Sequence, residues 1–218
     1  MKHYFSELIG TFALVFCGTG AIVINQETGG AIGHAGIAAT FGLVVMCMIY
    51  TLGDVSGAHL NPAVSLGFWA AGRFDKKELL PFIGSQVAGA FLATLALRAL
   101  FPNNRDLGAT LPAGSAAQSF VLELILSFLL MLVILKVSQG SRETGWFAGI
   151  AIGGTVLLEA MFAGPICGAS MNPARSLSPA ILSGNTGDLW IYLLAPCAGA
   201  GLAVLAWRVL ETPEGAAP

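Results

Sequence analysis

The sequence predicts an all-α membrane protein: six transmembrane helices and two reentrant half-helices in inverted repeats. Three observations carry that expectation. Only 10% of the 218 residues are charged and 56% are hydrophobic, whereas a soluble domain carries about a quarter charged residues. Six apolar runs approach the ~20 residues that a helix needs to cross a bilayer. The stretch GAHLNPAVSLG, Gly57 to Gly67, has a near copy in GASMNPARSLS, so that Asn-Pro-Ala recurs 111 residues on (172 − 61). The net charge of −2 leaves no basic footprint for nucleic acid.

In chain order the spans read as Tyr4–Ile24, Gly36–Leu52, Leu79–Leu100, Phe120–Val137, Trp146–Ala163 and Leu189–Leu210. Lys2 before the first run imitates a signal peptide. Glu7 interrupts that run, however, no cleavage site follows, and a similar segment recurs mid-chain, so a spanning helix is expected. Lys2, Arg73, Lys76, Lys77, Lys136, Arg142 and Arg208 fall on one side of this topology, and Arg98 and Arg105 on the other. The excess of basic residues on cytoplasmic loops places both termini in the cytoplasm, with the cell (inner) membrane as the expected location.

The duplication extends beyond the tripeptide. SELIGTFALVF carries Glu7 in the first span and VLELILSFLLM carries Glu123 in the fourth, 116 residues apart (123 − 7). A single transmembrane domain over 1–218 is therefore read as internal repeats over 1–101 and 118–211. Three spans per repeat turn the second copy upside down relative to the first. The polar linker FPNNRDLGATLPAGSAA joins them on the extracellular side.

NPAVSLGFWAAG and NPARSLSPAIL are too short to span. Asn61 and Asn172 suit the N-cap, and Pro62 and Pro173 suit the first helical position, where a backbone N–H would be free anyway. Ala63 and Ala174 complete the boxes. Each reads as a half-helix starting at the midplane, so two helix N-termini face each other. Each end carries roughly half a positive charge, which opposes cations at the centre. With its oxygen capping the helix, each asparagine keeps side-chain NH₂ donors for the oxygen of a passing neutral molecule. A water held this way donates outward, and a proton wire is interrupted. Extended segments at Ser56–Leu60 and Gly164–Met171 are expected to expose carbonyls along one wall, since irregular backbone at membrane depth must line a cavity or be buried.

With SGAHLNPAV and GASMNPARS both present, the chain resembles the major intrinsic proteins, the aquaporin and glycerol-facilitator family, over nearly its whole length. FAGPICGASMNPARSLSPAI looks most like the nodulin-like branch, which includes channels for small hydroxylated solutes and metalloid acids. The resemblance implies one pore per subunit and a homotetramer. It also implies an aromatic/arginine constriction whose four positions, counted from the motifs, fall on Phe41, Ala160, Ala169 and Arg175. Water-selective members place a histidine where Ala160 stands, and typical glycerol facilitators have two aromatics where this chain has one. Two alanines therefore point to a wider opening and to passage of glycerol, urea, and boric or arsenous acid with water. A water-selective channel is the alternative reading.

Glu7 and Glu123 are intramembrane acids, functional by default, but their matched positions favour hydrogen bonding to the reentrant loops over a proton relay. Glu159 either shapes the outer pore through a hydrogen bond or packs against another helix. His59 is read as a neutral pore-wall imidazole, with gating the alternative. Gly145, Gly149 and Gly153 permit close helix contact, and Gln86 is expected to bond a neighbouring helix or loop. Cys17, Cys47, Cys167 and Cys197 read as small core residues without metal-ligand spacing, with Cys167 alone near the pathway. His3, His34 and His59 are dispersed, no nucleophile–base pair is evident, and no metal or cofactor site is expected, so an enzyme is excluded. A secondary transporter also uses inverted repeats, but Glu159 is its only weak candidate for a coupling carboxylate.

Overall fold

The computed structural model describes residues 1–138 and 145–211. Eight helices follow one another there: α1 Lys2–Glu27, α2 Gly33–Ser56, α3 Pro62–Ala70, α4 Lys76–Leu100, α5 Ala116–Val137, α6 Ala148–Cys167, α7 Pro173–Ser183 and α8 Leu189–Leu210. All but α3 and α7 are long and apolar enough to cross a membrane. Those two start at the asparagine boxes, as the sequence predicts. Arg142, used above for orientation, lies outside the described residues.

Several helices outrun their apolar runs because capping, not hydrophobicity, ends a helix. Asp75 accepts from Lys77 N and opens α4, and Ser115 accepts from Gln118 N and opens α5. Helix α2 begins at Gly33 (φ 68), whose N–H reaches Asn25 Oδ1, and ends against Gly57 in the left-handed conformation. The expected extended segment Gly164–Met171 is a correction. Helix α6 continues through Pro165 to Cys167 and is closed by left-handed Gly168, so only Gly168–Met171 is irregular.

Helix α1 packs on α4, α5 on α8, and α2 on α6. These crossings are close because glycine stands in them. A Cβ on Gly89 would lie 2.2 Å from the Leu8 carbonyl oxygen, and one on Gly199 2.2 Å from that of Leu124. Where α2 meets α6, a Cβ on Gly42 would approach the Gly153 oxygen to 2.6 Å, and the reverse holds equally. Of the three spaced glycines, Gly153 and Gly149 make such contacts, the latter against the Tyr50 ring, whereas a Cβ on Gly145 would meet nothing within 4 Å among the described residues. Backbone oxygens cannot swing away as a flexible side chain would. Gly199→Ala is therefore expected to cost about 1–3 kcal/mol, read as a lower thermal midpoint of the detergent-solubilised protein. An unchanged midpoint would show that α8 can slide.

The cysteines are a second correction. Cys167 is buried and Cys197 partly buried, but Cys17 and Cys47 are exposed. In lipid the outer surface is as apolar as the core, so an apolar setting in the sequence does not distinguish the two.

Candidate functional site

The two irregular segments follow one backbone pattern. Ala58 (φ 46) and Leu60 (φ 52) in the first match Ala169 (φ 41) and Met171 (φ 53) in the second. Left-handed conformations cost L-residues about 1–2 kcal/mol each, so something must hold them. Glu7 accepts from His59 N at 2.9 Å and Leu60 N at 2.7 Å, and also from Ser56 Oγ and Gln86 Nε2. Glu123 accepts from Ser170 N at 2.7 Å and Met171 N at 2.8 Å. Both carboxylates bind the N–H groups of the two residues preceding their asparagine.

Each asparagine then does two things. Asn61 Oδ1 accepts from Ala63 N, and Asn172 Oδ1 from Ala174 N and Arg175 N, capping α3 and α7. Across the midplane, Asn61 Nδ2 donates to Met171 O at 2.7 Å and Asn172 Nδ2 to Leu60 O at 2.8 Å. One hydrogen of each NH₂ is thus spent tying the two loops together, which leaves one rather than two for a solute. The far ends of the half-helices are capped in the same reciprocal way. Arg208 on α8 donates to Ala70 O of α3, and Arg98 on α4 to Leu182 O of α7, each placing a cation at the negative end of a helix dipole.

Two cavities line up on either side of one constriction. The inner one, about 140 Å³, is walled by Asn61, Asn172, His59, Val45, Ile134 and Ala169 among others. The outer one, about 230 Å³, is walled by His34, Thr110, Ala160 and Gly164 among others. Phe41 and Arg175 line both. The Arg175 guanidinium carbon lies 5.1 Å from the centre of the Phe41 ring. Phe41 is seated against Gly18 of α1, where a Cβ would come within 2.2 Å of the ring. Arg175 is 1% exposed, and its Nη1 donates to Gly108 O at 2.8 Å. Gly108 (φ 72) can bring that carbonyl inward because a Cβ there would strike Thr19 at 2.7 Å. Of the four positions expected to form a filter, the structure brings Phe41 and Arg175 together, while Ala160 and Ala169 contribute only methyl groups, to the outer and inner cavities respectively.

The remaining singular residues separate clearly. The His59 ring stacks on Phe68 at 4.6 Å between centroids, meets Phe74 and Phe82, and has Nδ1 3.0 Å from Ser65 Oγ. Gln86 Nε2 on α4 bonds both Glu7 of α1 and Ser65 of α3. Glu159 is 1% exposed, has no hydrogen-bond partner for either oxygen among the described residues, and borders neither cavity. That placement removes the reading in which it shapes the outer pore by hydrogen bonding. Sequence reasoning missed Gly18, Gly108 and Thr110, whose hydroxyl donates to Ser176 Oγ. Gly108 is one of two glycines in the polar linker, with Gly114, and that was the available signal for the second.

The description "Major intrinsic protein" belongs to the family model that matches residues 1–207. Aquaporin NIP1-2 of Oryza sativa subsp. japonica is 45% identical over 94% of this chain and 70% of its own. Probable aquaporin NIP4-2 of Arabidopsis thaliana is 47% identical over 89% of this chain and 69% of its own. Among solved structures, the aquaglyceroporin from Plasmodium falciparum superposes with a TM-score of 0.85 and 28% identity, covering 94% of each chain. With six membrane-spanning helices, two capped half-helices and cavities that meet at a single arginine, the chain belongs to the major intrinsic protein family, as a multi-pass channel of the aquaporin type.

Proposed function

We propose that this chain is a passive channel for small uncharged hydroxylated solutes (glycerol, urea, and boric or arsenous acid) together with water, and that it excludes protons and ions. The observation that carries the reading is the constriction, where one aromatic ring and one guanidinium border both cavities while Ala160 and Ala169 each add only a methyl group to one of them. Arg175 offers donors to a solute oxygen and a fixed positive charge against cations. Asn61 and Asn172 each keep one N–H for a solute oxygen at the centre, between two positive helix ends. A water oriented there by two donors cannot pass a proton straight on. Glu7 and Glu123 serve as supports for the loops, and His59 as a held imidazole of the inner wall.

One homotetramer in the cell membrane, both termini cytoplasmic, completes the proposal. The position of Arg175 over the Phe41 face favours a second reading, a water-selective pore, because the cavities meet only at that pair.

Stopped-flow light scattering on proteoliposomes separates them. Osmotic shrinkage followed by fast re-swelling in glycerol, urea and boric acid, without saturation, is the expected result. Fast water flux with no re-swelling would establish the narrow pore, and saturable, gradient-coupled uptake would mean a transporter.

A further inference from the structure

We propose that His34 is a solute-selecting residue of the outer vestibule, supplying from α2 an imidazole that the α6 wall lacks at Ala160. This rests on the solute-channel reading above and adds a hydrogen-bond acceptor outside the filter.

Pro165 lies inside α6. Its nitrogen carries no hydrogen, so the carbonyl four residues earlier in α6, that of Met161, has no helical partner. His34 Nε2 lies 2.7 Å from that oxygen. A carbonyl only accepts, so Nε2 bears the hydrogen, and in the neutral form of the ring Nδ1 is then a bare acceptor. Nδ1 has no hydrogen-bond partner among the described residues. The proline therefore anchors the ring and selects its tautomer.

The ring also borders the outer cavity, together with Arg175 and Thr110. Its Cε1 is 3.0 Å from the point that a Cβ on Gly164 would occupy, so the imidazole fills side-chain space one turn beyond Ala160 on the same helix. Arg175 only donates, and the Thr110 hydroxyl, its hydrogen spent on Ser176, keeps only its acceptor lone pairs, so among the polar side chains of this cavity His34 Nδ1 adds a second acceptor to that of Thr110. A glycerol or boric acid molecule leaving bulk water loses partners for several O–H groups at once. His34 Nδ1 replaces one of them just before the constriction, and polyhydroxylated solutes gain more from it than water does.

The test compares His34→Phe, His34→Ala and His34→Gln in proteoliposomes, each first checked for monodispersity. Gln can donate to Met161 O and still present an oxygen, whereas Phe keeps a ring without an acceptor. Glycerol and boric acid flux should fall roughly fivefold in Phe and Ala, the worth of one neutral hydrogen bond. Water flux should hold, and Gln should recover most of the loss. Unchanged solute flux in the folded apolar variants, an equal fall in Gln, or a parallel loss of water and solute would overturn the proposal. If the wild-type protein passes no solute, the channel reading fails separately. His34 is then judged by whether external glycerol slows water efflux in the wild type and not in His34→Ala, and equal slowing in both would overturn it.

Discussion

Glu7→Gln is expected to leave little correctly folded protein. The substitution keeps the shape of the side chain but turns one acceptor oxygen into an NH₂ group. In the native site both oxygens receive donors: Ser56 Oγ and His59 N at one, Leu60 N and Gln86 Nε2 at the other. Whichever way the amide turns, its hydrogens face hydrogens. Hydrogen bonds to a charged group are worth about 1.5–3 kcal/mol each, and breaking a buried charged arrangement typically costs ~3–5 kcal/mol. The loop that loses them holds left-handed Ala58 and Leu60, so released strain adds to the loss. Yield of monodisperse protein and its thermal midpoint are the measurements. A normally folded variant that had lost ion-coupled flux would instead restore the proton-relay reading.

Ala160→His is the second large effect, and it acts on selectivity rather than folding. Ala160 borders the outer cavity beside the constriction formed by Phe41 and Arg175. An imidazole there would fill space that a methyl leaves open, and it would crowd the His34 ring that already lies over Gly164. Rejection by lost space should reduce glycerol and boric acid flux roughly tenfold or more while water passes nearly as before. An unchanged ratio of solute to water permeability in a folded variant would remove Ala160 from the filter.

Much of this architecture could be read from local pattern. Asn61-Pro62 and Asn172-Pro173 announce helix starts by their own chemistry, since an N-cap acceptor followed by a residue without N–H needs no distant partner. Glu7 and Glu123, costly in an apolar run, pointed to loop support through their matched spacing, and the structure gives each the backbone N–H groups of the two residues before its asparagine. The sequence places the end of the fifth span at Ala163, but α6 runs through Pro165 to Cys167, because a proline removes one N–H without ending a helix whose freed carbonyl finds another partner. Only the contact with His34, 127 residues away in the chain (161 − 34), shows how the freed carbonyl is satisfied.

The sequence by itself determined the number of apolar spans and the starts of the two half-helices. Those properties follow from hydropathy, capping and repetition, all of which act over a few turns of one helix. Tertiary structure decided what each polar group has left to offer. Asn61 and Asn172 spend a hydrogen on each other's loop, Arg175 spends one on Gly108 in a linker between the repeats, and Glu159 has no protein partner at all among the described residues. Hydrogen-bond capacity is fixed by residue type, but how it is divided between fold and solute depends on which distant backbone groups arrive within about 3 Å.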